Sequence, residues 1–202
     1  MRKLILATLF SILLFSIQCK DVSKNELEIS KIQKNLTDSV MIKNAERDFE
    51  TLNNLIYKEA DIKQIKKYVD NSLEKSLSEQ YGDEFSNNVD QYYKEAFLLV
   101  KKVSDSLNAM PKNEIETAKV QLKSENKAII SLVGFTNMIN NKNNEVAKNK
   151  FVILGISEDY GNNFKFLNVY DVEQTRNILK YKFTKEEINS MKPFKKKLRN
   201  FC

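Results

Sequence analysis

The side chains that could do chemistry are unevenly stocked in this chain. Among 202 residues there is no histidine, and there are two cysteines, Cys19 and Cys202. An Asp–His pair, in which a carboxylate orients an imidazole that moves a proton near neutral pH, is therefore excluded. A serine or cysteine nucleophile lacks the same activating base, and no G-x-S-x-G turn is present. Gly82, Gly134, Gly155 and Gly161 are isolated, so no phosphate-cradling loop is expected. Two cysteines without histidine cannot build a zinc site, and we expect neither metal nor cofactor. What remains for acid–base work is a carboxylate whose pKa is raised by burial; Asp48, Asp70, Asp90 and Glu95 fall in predicted helices and are the candidates. The plainer expectation is that each is solvated or paired with a nearby lysine.

The aromatic residues are the better lead. Tyr92, Tyr93 and Phe97 share one predicted helix, and Phe135, Phe151, Phe164 and Phe166 fall on predicted strands. If helix and sheet face each other across a hollow, these seven would line a pocket for an apolar ligand, with tyrosine hydroxyls fixing its orientation. If the space is filled, they form an ordinary close-packed core.

The elements that must position these groups follow from periodicity. Ala45, Phe49, Leu52 and Ile56 recur at helical spacing, which predicts a helix near Val40 to Lys58. Asp61 is a plausible N-cap for a second helix with Ile62, Ile65, Val69 and Leu73 on its buried side. Tyr81-Gly82-Asp83 breaks the pattern. A third, most aromatic helix is predicted from Glu84 to Ser106, and Met110-Pro111-Lys112-Asn113 is expected to end the helical half. The period then changes to two. Strands are predicted over Ile115–Lys123, Ala128–Thr136, Lys150–Ser157 and Phe164–Tyr170, separated by polar turns. Asp171 opens a short helical piece, and Thr184 to Glu187 forms a capping box for a last helix. Helices followed by an antiparallel meander imply an α+β fold, with helices packed on one side of a sheet curved at Gly134 and Gly155.

The two ends carry a different message. Arg2 and Lys3 precede an uncharged apolar run from Leu4 to Ile17, and Cys19 is followed at once by polar sequence. The run is too short to span a hydrocarbon core of about 30 Å comfortably. It reads as an export signal. A cysteine at the processing point resembles a bacterial lipoprotein signal. That resemblance implies removal of residues 1–18, acylation of Cys19 and attachment to a membrane of the cell envelope, on its outer-membrane or periplasmic face. Gln18 departs from the small residue usual before that cysteine; ordinary secretion and an uncleaved anchor are the competing readings. Without acylation, a Cys19–Cys202 bridge between the chain ends is open. Residues 19–37 read as a polar tether and 38–202 as a single domain ending in the basic cluster Lys192-Pro-Phe-Lys-Lys-Lys-Leu-Arg199, which could meet anionic headgroups or an acidic partner. The net charge of +6 falls by two once Arg2 and Lys3 are removed, too mild to point to nucleic acid.

The order of elements also resembles a family. Two N-terminal helices, the segment Ala60-Asp-Ile-Lys-Gln-Ile-Lys-Lys-Tyr-Val-Asp-Asn-Ser-Leu73, a long helix and a four-stranded meander are similar to the nuclear transport factor 2-like, or cystatin-like cone, superfamily. The final hairpin from Ile156 to Val169, an acidic-glycine turn followed by aromatic-Lys-aromatic, carries most of the likeness. The departures are Phe164 in a chain without tryptophan, and no evident early strand between the helices. The resemblance implies a cone with an apolar pocket, and superfamily membership leaves function to the site. The expectation is a non-catalytic envelope lipoprotein that binds an apolar small molecule or a protein partner. A carboxylate- and tyrosine-based hydrolase or isomerase, or a lipid-anchored inhibitor protein, are the alternatives.

Overall fold

The computed structural model describes residues 37–59, 61–124, 126–169 and 171–191. Cys19, the tether before residue 37, the basic tail and Cys202 lie outside the described residues. Helix α1 (Asp38–Asn54) runs on through a π-helical turn, Leu55–Glu59. Four more helices follow: α2 (Ile62–Tyr68), α3 (Asn71–Tyr81), the single turn α4 (Asp83–Ser86) and the long α5 (Val89–Leu107). Strands β1 (Ala109–Lys123), β2 (Ala128–Asn140), β3 (Glu145–Ser157) and β4 (Lys165–Asn168) form one antiparallel sheet in the order β1-β2-β3-β4. Helices α6 (Val172–Leu179) and α7 (Lys185–Ser190) close the described chain. The fold is α+β, with an open sheet.

Local chemistry explains most boundaries. Asp61 caps α2 by accepting from the backbone N–H groups of Lys63 and Gln64. Thr184 and Glu187 cap α7 reciprocally, as the capping box predicts. Gly82 takes φ 59°, a conformation that only glycine adopts cheaply, and breaks the helix where Tyr81-Gly82-Asp83 predicts.

The second helix is not one helix. Val69 leaves helical geometry and makes a parallel bridge to Phe166, the backbone N–H of Asp70 donates to the Phe166 carbonyl at 3.0 Å, and Asp70 then caps α3. A single-residue bridge therefore stands where no early strand is legible. The predicted third helix is divided at Asn87–Asn88. The helical half ends at Asn108, a left-handed C-cap with φ 45°, and not at Met110–Asn113. Pro111 lies inside β1, opposite Met138; β1 is an edge strand, so the missing N–H breaks no inner ladder.

Curvature comes from glycine and bulges. A Cβ on Gly134 would stand 2.0 Å from the Glu114 carbonyl oxygen, so only glycine lets β1 cross so closely at its bulge between Ile115 and Thr117. Gly155 marks no bulge. Its bare Cα makes room for the rings of Phe164 and Phe166, which a Cβ would meet at 3.1 and 3.2 Å, and for Ala45 of α1. Two further irregularities lie instead between Val120 and Leu122 of β1 and near Val146, between the Met138 and Ile139 pairings. Helix α1 thus packs across the sheet: its backbone runs near β1 and β2, and Phe49 reaches β3 and β4, tilted against Phe151 and Phe166 at 5.2 and 5.5 Å between centroids.

The C-terminal helices are clasped to the rest by buried charge. Lys182, with a side chain 6% exposed, meets the fully buried Asp70 at 2.9 Å and also pairs with Glu158. Lys127 donates to the Lys182 carbonyl at 2.7 Å and lies over the Phe183 ring.

Candidate functional site

Strand parity decides which aromatic residues can meet. Successive side chains point to opposite faces of a sheet. Gly155 faces Ala45 of α1, so Phe151 and Ile153 share that helix-covered face, together with their cross-strand partners Gly134 and Leu132 and with Phe166 and Asn168 of β4. Thr136, two residues beyond Gly134, and Asn113, its partner on β1, belong there too.

Between this face and the helices lies a cavity of about 80 Å³. Its floor is buried and mostly apolar: Phe49 and Leu52 from α1, Leu73 from α3, Tyr93 from α5, and Phe151 and Phe166 from the sheet. Its rim is half-buried and more polar: Asn53, Tyr57, Asn113, Thr136, Ile153 and Asn168. Ile56 and Val69 complete the wall. No lining residue carries a charge. The π-helical turn puts Ile56 and Tyr57 at the mouth; such turns are frequent where a helix serves a site. The volume is about half that of an engineered apolar cavity of about 150 Å³ that binds benzene.

Three of the seven sequence candidates, Tyr93, Phe151 and Phe166, come together here; the other four do not. Tyr92 stacks on Phe85 at 5.5 Å and reaches Glu84 through its hydroxyl. Phe97 stacks on Tyr93 at 6.1 Å, one shell behind the lining. Phe135 points to the opposite sheet face, because it pairs with Lys150; Lys150 and Lys148 flank its ring at 5.3 and 4.6 Å. Phe164 packs against Gly155, and its N–H donates to Asp48.

The carboxylates are bound into the structure. Asp48 accepts from Arg47 and from the Phe164 N–H. Asp70 accepts from Ser72 N–H and from Lys182. Asp90, largely exposed, pairs with Lys66 at 2.8 Å, and Glu95 accepts from Gln91. None of the four lines the cavity.

The two phenols are held protonated. Burial pushes the Tyr57 hydroxyl up to about 12, although the residue as a whole is only half-buried. Tyr93 is raised well above its ordinary value, by burial first and then by the charges of Glu74, Asp70 and Asp90. Glu74 acts on Tyr93 by proximity; the Tyr93 hydroxyl is buried and makes no hydrogen bond. Lys66 joins Glu74 at 3.5 Å and Asp90, with its ammonium 5.5 Å from the Tyr93 ring centroid. Across the sheet, the Thr136 hydroxyl donates to the Asn113 side-chain carbonyl. Asn149, paired with Thr136 on β3, is 4% exposed, and its Oδ1 has no partner.

Asn113 was hidden because Met110–Asn113 reads as a helix stop, which leaves its strand register unassigned. Tyr57 and Asn53 were more accessible: they neighbour the apolar Phe49–Leu52–Ile56 stripe at helical spacing. Among the described residues no group of His, Cys, Asp or Glu is arranged to hold a metal ion, and no helix is long and apolar enough to cross a membrane. Comparison with protein-family models, with curated proteins and with solved structures finds no match to this chain.

Proposed function

We propose that this protein is a non-catalytic envelope lipoprotein, held to a bacterial membrane by acyl groups on Cys19, whose domain binds a small molecule in the cavity between α1 and the sheet. The observation that carries the binding reading is the lining itself: an apolar floor, an uncharged polar rim and a buried tyrosine hydroxyl without a partner. Ligand sites are built this way, with few polar groups fixing orientation on an apolar surface. The hydrolase or isomerase alternative needs a carboxylate at the cavity, and none of the candidate carboxylates lines it: Asp48, Asp70 and Asp90 are committed to a backbone N–H, a cap or an ion pair, and Glu95 accepts from the Gln91 side chain. The anchoring reading rests on the sequence around Cys19.

Both halves are tested on protein extracted from its own membrane in mild non-ionic detergent. The N-terminal peptide should begin at Cys19 and carry a diacylglyceryl mass. Native mass spectrometry should show a non-covalent small-molecule increment, lost when Leu73→Trp fills the cavity. An unmodified N-terminus would remove the anchor. An increment unaffected by Leu73→Trp would place the ligand elsewhere.

A further inference from the structure

We infer that the ligand of this cavity is electrically neutral and carries one hydrogen-bond-accepting group, such as a hydroxyl, on a compact branched apolar body, with that group held by Tyr93. This rests on the binding reading above and specifies its ligand class.

Size comes first. About 80 Å³ holds about three non-hydrogen atoms, the size of an isopropyl group, by proportion to the cavity of about 150 Å³ that takes benzene. The floor is shaped by Phe49, whose ring is tilted against those of Phe151 and Phe166, so a branched body fills it better than a flat one.

Charge comes next. An ion entering an apolar cavity must be paired there, because an unpaired charge loses its hydration without return. No lining residue supplies the partner. Lys66 is the cation near Tyr93, and Asp90 and Glu74 already engage it. An anion would also meet the field of the three carboxylates that raise the Tyr93 pKa. A cation would meet that field favourably, but Lys66 already pairs with Glu74 and Lys182 with Asp70, and the lining offers only phenol, hydroxyl and amide groups in place of its hydration.

The polar anchor is set by one orphaned atom. The Tyr93 hydroxyl, on a lining residue 1% exposed, has a proton to donate and makes no hydrogen bond. Buried polar groups are rarely left unpaired, and an unpaired donor on the cavity wall fits a ligand group that accepts.

The test is a titration of the full chain, with isoleucine, leucine and valine methyl groups observed by NMR. The probes are isobutanol, isobutylammonium and isobutyrate, which share a branched body and differ in charge. Isobutanol should shift the Leu52, Leu73 and Ile153 methyls with a millimolar Kd, at least tenfold tighter than either ion. Tyr93→Phe should weaken isobutanol about fivefold while the methyl spectrum away from the cavity stays as it was. An ion that binds as tightly as isobutanol overturns the neutral-ligand inference and leaves the cavity reading standing. An unchanged affinity in Tyr93→Phe overturns the assignment of the anchor. If none of the three probes moves the cavity methyls, the binding reading falls, and this inference with it.

Discussion

Replacing Lys182 with methionine should destabilise the protein by about 3 kcal/mol. Lys182 pairs with Asp70, which is fully buried, and its own side chain is 6% exposed. Removing one member of such a pair costs about 3–5 kcal/mol, because the remaining charge is left in a poor solvent. Three details place the expected value at the lower end. Methionine keeps the buried aliphatic stem. Asp70 keeps its hydrogen bond from the Ser72 N–H. Glu158, half-exposed, loses only a surface partner, worth at most about 1 kcal/mol. Urea unfolding of the full chain followed by circular dichroism measures the change; in a domain of this size it lowers the melting temperature by about 6–12 °C. The control is Asp70→Asn combined with Lys182→Met. Asparagine preserves the α3 cap and removes the stranded charge, so the double variant should regain at least half of the loss. The pH dependence has a definite sign. Burial, the largest influence on Lys182, would lower its pKa, but Asp70 and Glu158 together outweigh it and hold the group above its ordinary 10.5. The stability it contributes is therefore complete below about pH 10.5 and is lost as pH rises through the folded value. A loss under 1 kcal/mol in Lys182→Met, or a double variant no more stable than the single one, would refute the clasp.

Gly134→Ala should destabilise by about 3 kcal/mol or more in the same assay, because its Cβ would meet a backbone oxygen at 2.0 Å that cannot swing aside; a neutral or stabilising result would mean that β1 does not cross there. Thr184→Ala removes half of the α7 capping box and should cost about 1 kcal/mol, with amide exchange accelerated in Glu186–Ile188 and not in α5. At low pH two groups act together. Asp159 is held below 3.8 because hydrogen bonds from Asn163 and Ser157 outweigh the opposing effect of burial; Glu187 is held below 4.5, chiefly by the Thr184 N–H. Both contribute stability above those values and lose it as pH falls through the lowered ones, so the urea midpoint should drop below about pH 4, and less steeply in Asp159→Asn with Glu187→Gln.

The sequence is legible wherever a local rule acts alone. The caps at Asp61, Asp171 and Thr184, the break at Gly82 and the four-strand meander follow from spacing and turn chemistry. The failures are tertiary. Val69 carries the right periodicity for a helix but is drawn out to bridge Phe166. Pro111 reads as a terminator and is a strand residue, because edge position cannot be seen along a chain. Every residue of β2 from Ala128 to Phe135 is buried, so no alternation reveals that Phe135 and Thr136 face opposite ways. The cavity was anticipated as an aromatic space between helix and sheet. Three of its seven expected aromatic residues are there; the polar Asn113 is hidden by the helix-stop reading of Met110–Asn113, whereas Asn53 and Tyr57 sit beside the apolar stripe of the first helix.

The most direct test of a hollow, apolar site is a crystal of the full chain derivatised with xenon under pressure. Xenon enters apolar cavities. One dominant peak is expected, enclosed by Phe49, Leu73, Tyr93 and Phe151. Density showing those side chains in mutual contact, with no xenon between them, would contradict it.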